Sequence, residues 1–335
     1  MSKKTRVGVV IAGLAIALIA AISFLARARD AGKTPTSPVQ TADAIRVGYP
    51  ILRIGLPVFV ANERGFFADQ GLDVELQRYE TAQPMMDALV GGSIDIAGYT
   101  ALPITFSAMA RSQVPLLFMT AMIEDDAHPI SMIIVRKSSN INDVKDLAGK
   151  RIGILPTRAY EAWLNELLRK NGVEPSAVVI QQIPPPQQAA ALASGSVDAL
   201  FTNDPAATAA IAGGHGRPLG TKAVVPHATE INPFYFGSFN VRRDYAEANP
   251  DVVRRLSIAL DSAIIYIRTN PDSALVDLAK YLPPEQRNLV RRFPPSSYRL
   301  TDDVQQAYLD SLLQYYKKME VVPAALTLTG AQYHR

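Results

Sequence analysis

The chain has 335 residues, 48% of them apolar and 19% charged, which is enough apolar material for two globular cores behind whatever the N-terminus does. Its formal charge of +3 arises in the leader: residues 1–28 carry Lys3, Lys4, Arg6 and Arg27 and no acid, so 30 of the 34 basic residues are left to face 31 acids. That balance leaves no compositional reason to expect nucleic acid as a partner. The absence of cysteine excludes a thiol nucleophile, thiolate metal sites, disulfides and a lipid-bearing cysteine.

The chain opens with a basic segment, MSKKTR, and an unbroken apolar run, VGVVIAGLAIALIAAISFLA, at 7–26. As a helix this run is roughly 30 Å long, about the hydrocarbon thickness of a bilayer. ARA at 26–28 has the small-x-small form of a cleavage site. Two readings of 1–28 stand: a signal peptide removed after Ala28, or an uncleaved hydrophobic helix that holds the protein at the membrane. Either sends the remainder across the membrane, to a periplasmic location, and the intact mass of protein taken from cells separates them. Residues 29–43 read as a flexible linker.

From residue 44 short β-branched runs alternate with helical stretches, the pattern of α/β units on mainly parallel sheets. AIRVGY (44–49) and LDVELQRY (72–79) read as strands. Between them a helix begins at Pro57 and stops at Gly65 or Gly71. GGSIDIAG (91–98) follows a short helix and leads to a helix over 103–113. PLLFMTAMI and ISMIIVRK are further strands. A second run of the same kind starts at NDVKDLAGKRIGIL, passes through the amphipathic helix EAWLNELLRKNG, and reaches SGSVDALF (194–201), a near copy of 91–98. Beyond FYFGSFNVRRDY the chain turns helical, with Asn249-Pro250 and Asn270-Pro271 as cap and first-residue pairs. Thr301 is expected to cap the long helix DDVQQAYLDSLLQYYKKME.

The repeat is too widely spaced for a tandem array and marks two similar α/β lobes. Open α/β sheets bind ligands beyond the carboxyl ends of their strands, so two facing lobes make a cleft. Four strand-to-helix corners are expected to line it: 49–57, 98–103, 155–160 and 201–205. Corner one offers Tyr49, the cation Arg53 and Pro57, which opens a helix whose free N–H groups favour an anion; Arg53 is alternatively a surface cation. Corner two offers Tyr99, Thr100 and Ala101, with Thr100 alternatively a helix cap. Corner three offers Thr157, Arg158, Ala159 and Tyr160, where the guanidinium can fork onto an oxyanion. Corner four offers Asn203 and Asp204, acceptors for a ligand N–H or hydroxyl, or simply caps for the next helix. Asp95 and Asp198, inside the repeated strands, read as backbone-bonding residues, and the single tryptophan, Trp163, as a packing residue.

VANERGFFADQGLDVEL, GGSIDIAG, DLAGKRIGI, SGSVDALFTNDP and ANPDVVRRLSIALDSAIIYIRTNPDSA, with the later RRFPPSSYRLTDDVQQAYLDSLL, resemble the periplasmic substrate-binding proteins of ABC importers. Within them the chain is similar to the group that includes aliphatic sulfonate, taurine, nitrate and thiamine-pyrimidine-precursor binders. The resemblance implies a two-lobe periplasmic binding protein type II fold with two hinge crossovers, preceded by the N-terminal hydrophobic helix. Lobe 1 is then 44–134 plus 236–335 and lobe 2 is 135–235. It implies a monomer that closes on a small organic anion or compact heterocycle and docks on an ABC permease with its ATPase subunits, without cofactor or metal. The alternative is a membrane-anchored ligand sensor uncoupled from transport.

The resemblance also carries Thr100 over as a ligand contact. It departs at two corners: Pro156 to Tyr160 stands where sulfonate binders have a Gly-Ser-Ser-type loop, and Asn203 stands where relatives often have tryptophan before Asp-Pro. No H-E-x-x-H, G-x-S-x-G or P-loop occurs, the four histidines are scattered, and EDDAH (124–128) reads as an acidic loop rather than a metal cluster. The chain is therefore expected to be no enzyme.

Overall fold

A computed structural model describes residues 43–220 and 223–335; the leader and nearly all of the linker lie outside the described residues. Strand β1 (Asp43–Pro50) leads into α1 (Leu56–Glu63) and α2 (Phe66–Asp69). Then come β2 (Leu72–Tyr79), α3 (Ala82–Val90), β3 (Ile96–Ala101), α4 (Leu102–Ser112) and β4 (Leu116–Glu124). The second run holds β5 (Met132–Arg136), β6 (Arg151–Ile154), α5 (Arg158–Lys170), β7 (Val179–Gln182) and α6 (Pro185–Ser194). It continues with β8 (Ala199–Thr202), α7 (Ala206–Ala212), β9 (Gly216–Pro218) and α8 (Val224–Thr229). Strand β10 (Phe234–Arg242) precedes α9 (Arg243–Ala248), α10 (Pro250–Thr269), α11 (Pro271–Ala279), β11 (Ser297–Arg299) and α12 (Gln306–Lys318).

Two sheets define two lobes. The first has the order β11-β4-β10-β3-β1-β2 and the second β7-β6-β8-β5-β9. The chain passes between them twice, after β4 and before β10. The expectation of mainly parallel sheets is corrected to mixed ones. Only β1 with β2 and β3, and β6 with β7 and β8, run parallel. Strand β10 inserts antiparallel between β3 and β4, and β5 pairs antiparallel with β8 and β9. Strand β4 is buried along its whole length, as a strand covered on both faces must be.

Local chemistry accounts for the elements that carry the corners. Helix α5 buries Tyr160, Trp163, Leu164, Leu167 and Leu168, an i, i+3, i+4 stripe, and Thr157 caps it by accepting from the Tyr160 amide at 3.2 Å. The helix after Pro57 is divided: Gly65 at φ 76° separates α1 from α2, and Gly71 at φ 65° ends α2. Asn249 and Asn270 precede their helices, yet neither caps with its side chain; each amide donates back to the previous helix, at Tyr245 and Tyr266. Thr301 does not cap the last helix, which starts at Gln306; its hydroxyl donates to buried Asp261 at 3.0 Å.

Candidate functional site

The repeated Gly-Ser-x-Asp is a register clamp built twice. Asp95 accepts from the Arg46 backbone N–H at 2.9 Å and from its guanidinium at 2.7 and 3.0 Å, while Arg46 donates to the Gly92 carbonyl at 3.1 Å. Asp198 does the same to Arg151, at 3.0 Å to the backbone and 3.1 Å to the guanidinium, and Arg151 donates to the Gly195 carbonyl at 2.7 Å. Each carboxylate thereby ties its own strand to the parallel neighbour. Two residues after each arginine stands a glycine in close packing: a methyl group on Gly48 would lie 2.6 Å from the Ile94 side chain, and one on Gly153 2.9 Å from that of Leu200. The pattern Arg-x-Gly, at 46–48 and 151–153, is the partner half of the repeat. The clamps sit at the starts of β3 and β8 and set the register of the strands whose far ends open on the corners.

Those corners open on a cavity of about 270 Å³ between the lobes. Tyr99, Thr100, Ala101, Thr157, Arg158, Ala159, Tyr160 and Asn203 line it. Three helices present their first turns to it: α3 through Thr81, Ala82 and Gln83, α4 through Pro103 and Ile104, and α5 through Thr157 to Ala159; α6 adds Pro185. Neither Thr81 nor Ala101 caps its helix with a side chain. Amide groups at helix starts carry partial positive charge and favour an anion. Arg158 is exposed at the lip and makes no hydrogen bond or ion pair among the described residues. Arg111, also lining, is engaged with Asp87 at 3.0 Å, and exposed Glu80 marks the opposite sign at the rim. Ser107 adds a hydroxyl, and the remaining lining is apolar, with Leu52, Ile54, Leu155, Phe236 and Val321 among it.

The corner between β2 and α3 is a fifth one that the four-corner expectation omits, although a strand followed closely by Pro84 signals it. Phe236 and Val321 come from distant elements and carry no local signal.

Four residues expected at the cleft are held elsewhere. Tyr49 packs edge-on against Phe59 at 5.2 Å and Tyr281 at 5.8 Å, on the face of β1 that α1 covers. Pro57 is buried in the first turn of α1. Arg53, 2% exposed, donates to the Pro294 carbonyl at 2.9 Å, the Ser296 hydroxyl at 2.9 Å and the Pro129 carbonyl, and its Nε lies 3.5 Å from the Asp204 carboxylate. Asp204 accepts from the Thr208 amide and hydroxyl at 3.1 and 2.6 Å, and burial raises its pKa against the pull of Arg53. The two corners are thus joined by a buried cross-lobe ion pair instead of facing ligand, because each charge is the other's compensation.

Thr100 lines the cavity, but its hydroxyl is committed: it bonds the Thr105 hydroxyl at 2.7 Å and accepts from the Asn240 amide at 3.1 Å. The Tyr99 hydroxyl is likewise bonded to Thr120. Close to this level, Glu124 at the end of β4 accepts from the Ile130 and Ser131 amides at 3.0 and 2.6 Å and from the Ser131 hydroxyl, across the first crossover; burial pushes its pKa up to about 7. In the acidic loop beyond it, Asp125 folds back on the Ala127 and His128 amides, and among the described residues no group of three or more acids and histidines forms a metal cage.

Two mixed sheets, two crossings and a cavity at the strand ends define the two-lobe α/β type II periplasmic-binding fold. The match to the family model "NMT1/THI5 like" over residues 55–274 spans more than half of the chain, which belongs to that family. The chain is related to the binding components of sulfonate, taurine and nitrate ABC transporters. It is 24% identical over 311 residues to the taurine-binding periplasmic protein of Escherichia coli, covering 84% of this chain and 89% of that one. It is 26% identical over 242 residues to the nitrate/nitrite binding protein of a Nostoc species, covering 66% of this chain and 53% of that protein. The crystal structure of the periplasmic aliphatic sulphonate binding protein from Escherichia coli superposes with a TM-score of 0.69 at 21% identity, over 87% of this chain and 97% of that chain.

Proposed function

We propose that this protein is the extracytoplasmic solute-binding component of an ABC import system, and that it captures a small organic anion between its lobes. One observation carries the reading: the first turns of α3, α4 and α5 converge on one inter-lobe cavity whose lip holds the unpaired cation Arg158. The relatives named above bind taurine, nitrate and aliphatic sulfonates, all of which carry an oxyanion. The lobes are taken as 44–134 plus 236–335 and 135–235, closing about the two crossovers when ligand favours the closed state. The closed form delivers its ligand to the permease. The protein is a binding protein and not an enzyme, in keeping with relatives that are named as binding proteins.

A thermal-shift panel of sulfonates, carboxylates and nitrate tests this, since a ligand that binds only the folded state raises the melting temperature. At least one anion is expected to stabilise the protein, and Arg158→Ala to weaken that anion about tenfold, the scale of one charged hydrogen bond. A panel without any stabilising anion, or an affinity indifferent to Arg158→Ala, overturns the anion reading.

A further inference from the structure

The two copies of the repeat end in polar tips that differ in one respect. In the first lobe the tip is closed: the Thr100 hydroxyl is satisfied by Thr105 and Asn240. In the second it is open. Asn203, 4% exposed, follows β8 and lines the cavity, and its Nδ2 donates to the Tyr160 hydroxyl at 3.2 Å. Its Oδ1 is fully buried and has no hydrogen-bond partner among the described residues. A buried, unpaired amide oxygen has lost its hydration without compensation, and a ligand donor placed on it recovers that loss. Tyr160, which accepts from the Asn203 amide nitrogen, is itself packed against Phe201 at 4.8 Å and Trp163 at 5.3 Å.

Burial gives the cavity a direction. Arg158 is exposed, whereas Tyr160, less than one turn further along α5, and Asn203 are buried. The lining also carries the apolar side chains of Leu52, Ile54, Leu155 and Phe236. A hydrated, compact oxyanion satisfies the lip only. It leaves the walls without an apolar partner and the Asn203 oxygen without a donor.

The geometry points to a ligand that is amphipathic and carries an N–H or O–H donor at the end opposite its anionic group, with Asn203 as the residue that selects for that donor. The inference rests on the anion reading of the same cavity and adds the ligand's other end. A cavity of about 270 Å³ lined in this way suits one ring or a short branched chain between the two polar ends. Sites that hydrogen-bond a ligand hydroxyl discriminate strongly against analogues that lack it, because the buried partner is then left unpaired.

Calorimetric titration of the full-length protein with benzenesulfonate, its 2-, 3- and 4-hydroxy isomers and the matching methoxy ethers tests the inference. The tightest hydroxy isomer is expected to bind about tenfold or more tightly than both its methoxy ether and benzenesulfonate. Asn203→Leu, which keeps the branched outline of the side chain and removes the acceptor, is expected to reduce that ratio to within twofold of unity. A cooperative melting transition and a circular dichroism spectrum matching those of the unsubstituted protein show that the variant is folded. Equal binding of hydroxy and methoxy compounds to the unsubstituted protein overturns the role of Asn203 and leaves the anion reading standing. So does a ratio that survives Asn203→Leu. If none of these sulfonates binds while another anion of the thermal-shift panel does, this inference falls and the anion reading stands; if no anion binds at all, both fall.

Discussion

At the scale of single residues, the two repeated aspartates, read from the sequence as backbone-bonding, hold neighbouring strands together. Asp95 and Asp198 each hold a backbone N–H and a guanidinium of the adjacent strand, and the hydrogen bond from Arg151 keeps the Asp198 carboxyl below its ordinary pKa. A depressed carboxyl stabilises the fold above the ordinary carboxylate pKa, and that contribution is lost as pH falls through the lowered value. Asp198→Ala is therefore expected to lower stability by about 1.5–3 kcal/mol near neutral pH, the range for hydrogen bonds to a charged group. Chemical denaturation measures it, and the affinity of the tightest anion should stay within twofold of the unsubstituted protein. A variant that loses binding while keeping its stability contradicts the clamp. The backbone-bonding role of these aspartates was legible in the sequence, because the same Gly-Ser-x-Asp run recurs at equivalent places before two similar strands. Their arginine partners, 49 and 47 positions away, carry the same repeat as Arg-x-Gly, a signal too short to stand out by itself.

At the scale of elements, the first crossover from β4 to β5 is tied by one buried carboxyl. Glu124 gathers the Ile130 and Ser131 amides, Ser131 accepts from the Val225 amide at 2.9 Å, and Arg53 and Asp204 lie at the same junction. Burial lifts the Glu124 pKa from 4.5 to about 7, with Ser131, Ile130 and Arg53 opposing. A raised carboxyl holds its proton in the folded state while the unfolded chain releases it, so its effect on stability worsens as pH climbs from about 4.5 to about 7. Glu124→Gln, measured by denaturation at pH 5 and pH 7, is expected to remove that fall, with the unsubstituted protein losing up to about 3 kcal/mol more than the variant over the window. Identical pH slopes for the two proteins contradict the assignment. The parallel units around this junction were readable from alternation and turn chemistry, LDVELQRY among them. The insertion of β10 between β3 and β4 was not, because an antiparallel pairing across more than a hundred residues leaves no local mark in either strand. The same distance hid the Arg53–Asp204 pair: each corner displays a lone charge that reads locally as ligand-facing, and only the fold brings the two together.

At the scale of the whole molecule, the two lobes meet through a buried ion pair, a shared aromatic cluster and one cavity. Trp163 of α5 packs against Phe234 and Phe236 of β10 and Tyr316 of α12, at 5.9, 5.6 and 6.3 Å, so the second lobe is seated on the first directly behind the cavity wall. The two-lobe organisation was legible because the repeat states it twice, and eight of the twelve residues read from the corners line one cavity. What resisted reading was which polar groups remain free once the lobes fold, since hydrogen-bond commitment is a tertiary property: Thr100 and Asn203 look equally available in the chain, yet only Asn203 keeps an open acceptor. The central claim is that an organic anion sits between the lobes with its charge at the start of α5. A crystal structure of the protein with the tightest sulfonate of the titration series tests it most directly. The account predicts ligand density in the inter-lobe cavity, with the sulfonate oxygens on Arg158 and the first-turn amides of α5; a sulfonate bound elsewhere, with this cavity empty, would contradict it.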